Sequence, residues 1–487
     1  MMTLDFPSWA GGFAHQLQKL RGTAAPTLHP FELLFAGWIP HWRLAQEDAG
    51  PHSRDRCWNL RLVFWTFLWQ VAQAGASCRE AIRQAQARCK NAGRRLPPDQ
   101  DSPYCQARGS LPLERLQEIH DHLCMEAREG VPDRELWCGH HVVVVDGSSV
   151  TAPDTPANQK AFPQQSVQKP GCGFPILRLV ALLSLATGML TAWTTGTWVQ
   201  HEVGLLQTLW DCLRPGNVLL ADRGFCNWAL LAQCLQRKVH AVFRVKGVRR
   251  GDFRQGKRLS RDERLVQWLK PFTAPRTVTA QEWALLPEVL TLRLVRCQLD
   301  IPGFRTRRVL LVTTLLDSAP YPPAALSRLY FRRWAMELTL RNIKITLQMD
   351  HLSCKNPENL EREIRMHFLV HNLVRRLMLE AARRHRVPLE RVSFAGSLAA
   401  ARRYGEALLQ TRSQRQRQYL TEELFAILAL DLVPDRPGRR EPRAVKRRPK
   451  PYPRLMAHRH RWLEIPHQDR YYLKTRTASA RNSRRLN

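Results

Sequence analysis

Three acidic residues are the best candidates for chemistry in this chain of 487 residues: Asp146, Asp222 and Glu337. Each aspartate ends a short apolar run typical of a buried strand, and the glutamate lies in a long amphipathic helical pattern. Side-by-side strand ends bring their carboxylates together, and a helix packed across that edge can supply a third. Converging carboxylates need a cation, and hard oxygen ligands select Mg²⁺ or Mn²⁺. Two such ions about 3.5–4 Å apart would promote displacement at phosphorus.

The helical pattern around the glutamate also carries a polar stripe, which consists of Tyr330, Arg333, Glu337 and Lys344. Their offsets of 0, 3, 7 and 14 place them on one helix face over roughly 21 Å. A polar stripe is usually just a solvated face. Here a carboxylate flanked by cations suits a phosphate track, in which Glu337 holds metal while Arg333 and Lys344 hold the strand on either side. Tyr330 could donate to a further phosphate oxygen.

Each aspartate alone also has an ordinary structural explanation. Asp146 precedes a glycine, which is a common turn signal, and Asp222 begins Asp-Arg-Gly, which could cap the following helix. The Cys-Gly-His-His run at 138–141 is the one hint of zinc, but it lacks a second ligand pair at the usual spacing. The twelve cysteines form no Cys-x-x-Cys pair, which favours reduced thiols in a reducing compartment.

The charge balance points to a polyanionic partner. The chain has 75 Lys and Arg against 42 Asp and Glu, a net charge of +33, while 44% of its residues are hydrophobic. This composition is typical of a folded protein with a basic surface that attracts nucleic acid. The best apolar run, 176–193, contains Arg178, so no membrane span is expected. The N-terminus does not resemble a signal peptide, which predicts a cytoplasmic protein.

Helical patterns predict the first domain, residues 1–135. Residues 60–74 have an apolar face at helical spacing, and Ser77 with Glu80 forms a capping-box pattern that opens a basic helix. This domain is either a helical DNA-binding unit or a plain helical bundle with solvated arginines. The Pro- and Gly-rich stretch 91–112 is predicted to be a connecting loop.

Residues 136–385 predict a second domain, of the α/β class. Its elements follow in the order β-β-β-α-β-α-β, which indicates a mixed sheet flanked by helices. A β-rich insertion at 247–307 interrupts this order, and a helical C-terminal region follows at 386–433. The last segment, 434–487, holds 17 Lys and Arg against 4 Asp and Glu. We expect it to be a basic, disordered tail that binds DNA phosphate.

The polar stripe also resembles a known signature. The spacing Tyr330-x2-Arg333-x3-Glu337-x6-Lys344 is similar to the Tyr-Arg-Glu-Lys signature of the insertion sequence 4 family of DDE transposases. The runs that lead to the two aspartates also look like the aspartate strands of that family. The similarity covers about residues 55–385.

This resemblance implies a ribonuclease-H-like fold in which Asp146, Asp222 and Glu337 bind two Mg²⁺ ions, with Mn²⁺ as a substitute. It also implies cut-and-paste transposition: nicking at the element's end, a hairpin made by attack of the freed 3′-hydroxyl, hairpin opening and strand transfer. The partners would be double-stranded DNA, as terminal inverted repeats and as target, and a second copy of the chain in a synaptic complex.

Tryptophans are expected to take part in the hairpin step. The resemblance places Trp334 against distorted DNA at the hairpin, although an ordinary core aromatic is an equally good explanation from the sequence. A second tryptophan, either Trp268 or Trp283 of the insertion, would stack on a flipped base.

Two other functions stay open at this point. The chain could be a domesticated or inactive derivative that binds DNA without cutting it, or a ribonuclease-H-like, structure-selective nuclease that cuts without joining. The three acids together with Arg333 and Lys344 favour an active transposase over a decayed copy, and a strand-transfer assay separates a transposase from a nuclease. We expect an active enzyme to work in the bacterial cytoplasm, at the nucleoid.

Overall fold

The computed structural model describes residues 29–39, 44, 57–169, 171–245, 253–298 and 308–434, with the backbone of 462–465 and 470–473. Nine strands form one sheet: β1 (Val142–Thr151), β2 (Ile176–Ser184), β3 (Leu190–Thr197), β4 (Val218–Ala221), β5 (His240–Arg244), β6 (Lys257–Ser260), β7 (Glu263–Leu269), β8 (Val289–Gln298) and β9 (Arg308–Thr313). Their order across the sheet is β3-β2-β1-β4-β5-β9-β8-β7-β6.

The central five strands define the fold. β1, β2 and β3 are antiparallel neighbours, whereas β4 and β5 run parallel to β1 on its other side. This is the ribonuclease-H-like arrangement, so the predicted mixed sheet and its fold class are confirmed. The described part of the predicted insertion supplies β6, β7 and β8, and it extends the same sheet beyond β9.

The strands at the centre of the sheet are apolar on both faces. β1 begins with four valines and β4 reads Val-Leu-Leu-Ala, and all eight side chains are buried. Because side chains alternate along a strand, Val142 and Val144 enter one core while Val143 and Val145 enter the core on the opposite face. Such a sheet needs helices on both faces.

The described helices are α1 (Pro30–Phe35), α2 (Leu60–Ala72), α3 (Cys78–Asn91), α4 (Asp101–Gly109), α5 (Leu113–Glu129), α6 (Pro156–Ala161), α7 (Glu202–Gln207), α8 (Trp228–Gln236), α9 (Ala280–Ala284), α10 (Pro323–Arg332), α11 (Trp334–Arg341), α12 (Pro357–His385), α13 (Phe394–Gln410) and α14 (Gln414–Leu430). α10, α11 and the first part of α12 cover the face of Val142 and Val144. α7 and α8 cover the other face.

A third core lies among helices. It joins α1 to α5 with the rest of α12 and with α13 and α14. The helices on either side of the boundaries predicted at residues 135 and 385 therefore share one core. Those boundaries stay predictions. None of the described helices combines the length and apolar character needed to cross a membrane.

The prediction of a connecting loop at 91–112 was wrong, because α4 lies within it. Pro103 occupies the first turn of α4, where its missing N–H would have had no partner in the helix anyway. Tyr104 and Arg108, one turn apart, are buried and hold the helix to the N-terminal core. The predicted tail at 434–487 lies outside the described residues, apart from Pro434 and two antiparallel strands, β10 (Trp462–Ile465) and β11 (Arg470–Leu473).

Candidate active site

Asp146 lies within β1 and not at its end. The strand continues to Thr151, and Asp146 is opposite Ala181 of β2. The following glycine therefore marks no turn. Its missing side chain leaves room for the carboxyl group of Glu202, which a Cβ at Gly147 would overlap. The backbone N–H of Gly147 donates to Oδ1 of Asp146 over 2.9 Å and helps to fix that carboxylate.

Asp222 directly follows β4 and lies level with Asp146. Val144 pairs with Leu220 in the parallel ladder, so each aspartate comes two residues after a paired position. The alternation of side chains puts both on the face that α10 and α11 cover. Asp222 does not cap the following helix, because Asn227 is the N-cap of α8; instead Oδ1 of Asp222 accepts from the N–H of Gly224 over 2.7 Å.

Glu337 reaches this place from α11, and Arg333 reaches it from the junction between α10 and α11. Nη2 of Arg333 lies 2.5 Å from Oε1 of Glu337, and Nη1 lies 3.7 Å from Oδ2 of Asp146. The helix predicted around these residues is interrupted at Arg333, where α10 ends and α11 begins. The structure thus brings the three predicted acids to one face of the sheet edge, with a guanidinium between two of them.

The pKa of Asp146 reflects the charges of the other two acids. Burial raises the pKa of Asp146, and the charges of Asp222 and Glu337 add to this effect. The N–H of Gly147 and the charge of Arg333 oppose it, and the resulting pKa is about 6. Burial also opposes the charge on Arg333, yet its hydrogen bond to Glu337 keeps the pKa of the guanidinium raised. Arg333 is therefore the cation that partly compensates this acidic cluster.

The cluster fits a divalent metal ion in its chemistry. Its donors are all carboxylate oxygens, which hard cations prefer, and it has three acids against one arginine. As the side chains stand, no three His, Cys, Asp or Glu groups of the described residues are grouped closely enough to hold a metal. Arg333 contacts two of the three acids, so a metal ion and this guanidinium would compete for the same oxygens.

The other two residues of the stripe have different surroundings. Tyr330 is only 7% exposed, and burial raises its pKa; its ring lies 5.8 Å from the guanidinium carbon of Arg333. Lys344 lies in a π-helical turn, Asn342–Thr346, which widens the helix. Its Nζ donates to the carbonyl oxygen of Ser149 and pairs with Oδ1 of Asp350, both at 2.8 Å. No sequence pattern pointed to Asp350.

The three tryptophans named from the sequence differ in exposure and contacts. Trp334 is 42% exposed at the start of α11, directly after Arg333. Trp268, on β7, lines a cavity of about 690 Å³ together with Trp228. The indole N–H of Trp228 donates to the backbone carbonyl oxygen of Trp268. Trp283 packs edge-on against Trp228, 5.4 Å between ring centroids, and lies under the ammonium group of Lys270.

Several known proteins that resemble this chain are transposases. A family model described as "Transposase DDE domain" matches residues 137–373. The chain is 28% identical over 356 residues to the transposase InsG for insertion sequence element IS4 of Escherichia coli (strain K12), which covers 72% of this chain and 78% of that protein. It is also similar to a cryo-EM structure of the piggyBac transposase synaptic complex with hairpin DNA, at 11% identity and a TM-score of 0.40, over 84% of this chain and 87% of the other. The fold assignment rests on the strand order.

The domain that carries the three acids is a DDE transposase domain. Over 72% of its length the chain is similar to the transposase of insertion sequence element IS4, and it is a DNA transposase. DDE transposases use divalent metal ions.

Proposed function

We propose that Asp146, Asp222 and Glu337 are the catalytic carboxylates and hold two Mg²⁺ ions, which Mn²⁺ can replace. The observation that carries this proposal is their convergence on one face of the sheet edge, with the pKa of Asp146 raised to about 6. When bound, the ions would activate the attacking hydroxyl and stabilise the leaving oxygen in an in-line displacement. The three carboxylates would fix the positions of the two metal ions.

The chain's cations would hold the scissile strand. Arg333 can exchange its carboxylate partners for a phosphate, because its planar guanidinium binds either group in the same way. Lys344 is held beside β1 by Asp350 and would contact a phosphate on the other side of Glu337. Tyr330 stays a candidate phosphate contact through its hydroxyl, the polar end of a side chain otherwise packed in the core.

The aromatic residues suggest how a hairpin would be held. The exposure of Trp334, next to Arg333, supports the proposal that its ring lies against distorted DNA. Of the two insertion tryptophans we favour Trp268 for stacking on a flipped base, since it lines an open cavity whereas Trp283 packs on Trp228. The proposed reaction is end nicking, hairpin formation and opening, and strand transfer, by a homodimer that pairs two inverted repeats at the bacterial nucleoid.

The test uses the purified full chain and a duplex that contains the DNA flanking its gene. Products are read on a denaturing gel with and without Mg²⁺, beside Glu337→Ala and the control Glu114→Ala, an exposed glutamate of α5. We expect Mg²⁺-dependent nicks at a discrete repeat and a slower hairpin band, both lost only in Glu337→Ala. Cleavage that persists in Glu337→Ala would refute the site. If the wild type binds DNA without cleaving it, the chain is an inactive derivative. If it cleaves DNA without joining the cut end to another DNA, the chain is a nuclease.

A further inference from the structure

A second charged region lies beyond the sheet, at the C-terminal part of α12. It is a cleft of about 1,170 Å³ between this helix, the segment 130–135 before β1, the β2–β3 turn at Ala186 and the residues 387–390. We call it the arginine cleft, after the six arginines that line it: Arg134, Arg332, Arg376, Arg383, Arg384 and Arg386. The sequence prediction did not include it.

Ion pairs compensate only part of this charge. The lining contains three glutamates, and they pair within the cleft: Glu390 with Arg332 at 2.8 Å, Glu135 with Arg383 at 2.9 Å and Glu380 with Arg384 at 2.7 Å. Glu126, outside the lining, pairs with Arg376.

Two exposed arginines of the cleft remain without a carboxylate partner among the described residues, Arg134 and Arg386. Arg386 ends α12 in the left-handed conformation, with φ of 54°. That conformation is uncommon for a residue other than glycine, asparagine or aspartate. The two free cations belong to different segments of the chain, so the cleft has a positive excess on both of its sides.

A buried cation next to the cleft adds to this excess. Arg375 precedes the cleft residue Arg376 and lies against Gly188 of the β2–β3 turn, where a Cβ would overlap its guanidinium. Its Nε has no hydrogen-bond partner in the described part of the chain, and no carboxylate there lies within ion-pair distance. Burial lowers the pKa of Arg375 to about 10, and Glu390 opposes this effect. Such a cation destabilises the fold unless a negative charge approaches.

The size and direction of the cleft suit an extended anion. The arginines on and after α12 run from Arg376 to Arg386, which is about 15 Å along the chain at the rise of a helix. A DNA duplex carries one charge per about 1.7 Å of its axis, so such a row faces several phosphates at once. DNA is also the polyanion that a transposase with a net charge of +33 attracts.

The cleft is also linked to the proposed active site. Arg332 pairs with Glu390 in the cleft, while the next residue, Arg333, pairs with Glu337 at the acids. Ala186 lies in the turn after β2, five residues along the chain from Ala181, the partner of Asp146, so the two residues are at most about 17 Å apart. DNA in the cleft would therefore pass within reach of the acids without occupying their edge of the sheet.

We propose that the arginine cleft is a second DNA site, which holds the backbone of target DNA without reading its sequence. Binding of DNA there is independent of the catalytic assignment. The identification of that DNA as the target rests on the proposed function.

The first experiment measures binding of the full chain to a duplex that lacks the element's ends, over a range of salt concentrations. Arg134→Gln/Arg386→Gln should reduce the slope of log K against log salt by about 2, since each arginine contributes roughly 0.9. The control Arg403→Gln/Arg412→Gln removes the same charge at exposed positions outside the cleft and should leave the slope unchanged. Arg134→Lys/Arg386→Lys should restore it. Equal slopes for the cleft variant and the wild type would overturn the site.

The second experiment separates target DNA from the element's end. With a duplex that carries the end, the cleft variant should cleave within about twofold of wild type, while strand transfer into a plasmid should fall about tenfold or more. A parallel fall of cleavage and transfer would mean that the cleft holds the element's end, and would overturn the target assignment. If the wild type itself does not cleave, the proposed function fails, and the salt slopes still decide whether the cleft binds DNA.

Discussion

The acidic cluster and the arginine cleft have opposite charge excesses. The cluster has three carboxylates and one guanidinium, that of Arg333, which contacts two of them. In the cleft, the three glutamates of the lining, with Glu126 and Glu422 outside it, pair with four of the six arginines, and two arginines have no carboxylate partner among the described residues. The neighbours Arg332 and Arg333 divide between the two regions. In both places the fold brings like charges together and leaves some of them uncompensated, which costs stability unless a ligand of opposite charge binds.

A third region shows what a fully compensated pair looks like. Arg293 of β8 is completely buried and forms an ion pair with Glu263 of β7, which is also buried. Ser318 donates to the same carboxylate, and the carbonyl oxygen of Asp317 accepts from Arg293. No charge is left over here, and nothing calls for a ligand. Uncompensated charge, and not charge itself, therefore separates the two candidate binding regions from this structural pair.

The largest effect should come from neutralising one acid of the cluster. Asp146→Asn should lower the rate of DNA cleavage by about 1,000-fold, because in the proposed site it removes a charge that would fix the metal ions. The free energy of unfolding at pH 7 should not fall, since the change relieves repulsion by Asp222 and Glu337. Gel assays and urea unfolding measure the two quantities. A loss of both activity and stability would mean that Asp146 has a structural role.

Breaking the compensated pair should have the opposite pattern. Glu263→Gln leaves Arg293 buried without a counter-charge and should lower the free energy of unfolding by about 3–5 kcal/mol. DNA cleavage per folded molecule should not change. The control is Glu288→Gln, which breaks the pair of an exposed glutamate with Lys270 and should cost less than about 1 kcal/mol. Equal losses in urea unfolding would contradict this difference.

Much of this arrangement could be predicted from the sequence, because local patterns carry it. Four valines before Asp146, the apolar run before Asp222 and the spacing around Glu337 were enough to name the acids and the sheet. The continuation of β1 past Asp146 was missed, since an Asp-Gly pair is typical of a turn. The π-helical turn at Lys344 gives no local signal either.

The arginine cleft could not be predicted, for a different reason. Its cations come from separate segments of the chain: Arg134 before β1, Arg332 at the end of α10, and the C-terminal part of α12. Which arginines are compensated depends on glutamates that are distant in sequence, such as Glu135 for Arg383. In an arginine-rich chain, no spacing rule distinguishes an arginine with a partner from one without.

A smaller effect should appear in the pH dependence of stability. The pKa of Asp146 is about 6 in the folded, metal-free protein, against roughly 3.9 in an unfolded chain. The folded state therefore takes up this proton first as the pH falls. As the pH falls from about 7 to about 4, the free energy of unfolding of wild type, relative to Asp146→Asn, should rise by about 2 kcal/mol. Urea unfolding at each pH measures it. Saturating Mg²⁺ should abolish the rise, and a fall in this pH range would have the wrong sign.

The smallest effect concerns Arg333, where the two regions meet. Its guanidinium contacts Glu337 and Asp146, so it would compete with a metal ion for their oxygens while no DNA is bound. Arg333→Gln should therefore bind Mn²⁺ more tightly than wild type in the absence of DNA, by up to about tenfold, which is 1.4 kcal/mol. Calorimetric titration of the DNA-free protein measures it. The matched control is Arg332→Gln, whose partner is Glu390, and its Mn²⁺ affinity should not change.

The direction of the change in Mn²⁺ affinity, taken together with the rate of DNA cleavage, distinguishes the possible roles of Arg333. If Arg333 only balanced the acids, its removal would tighten metal binding and leave DNA cleavage intact. If it also transfers to a phosphate when DNA arrives, as the stripe with Lys344 suggests, the same variant should bind Mn²⁺ more tightly and yet cleave more slowly. Weaker Mn²⁺ binding by Arg333→Gln would show instead that the guanidinium orients the carboxylates for the metal. In that case the acids would depend on Arg333 for their geometry, and charge excess alone would not explain the cluster.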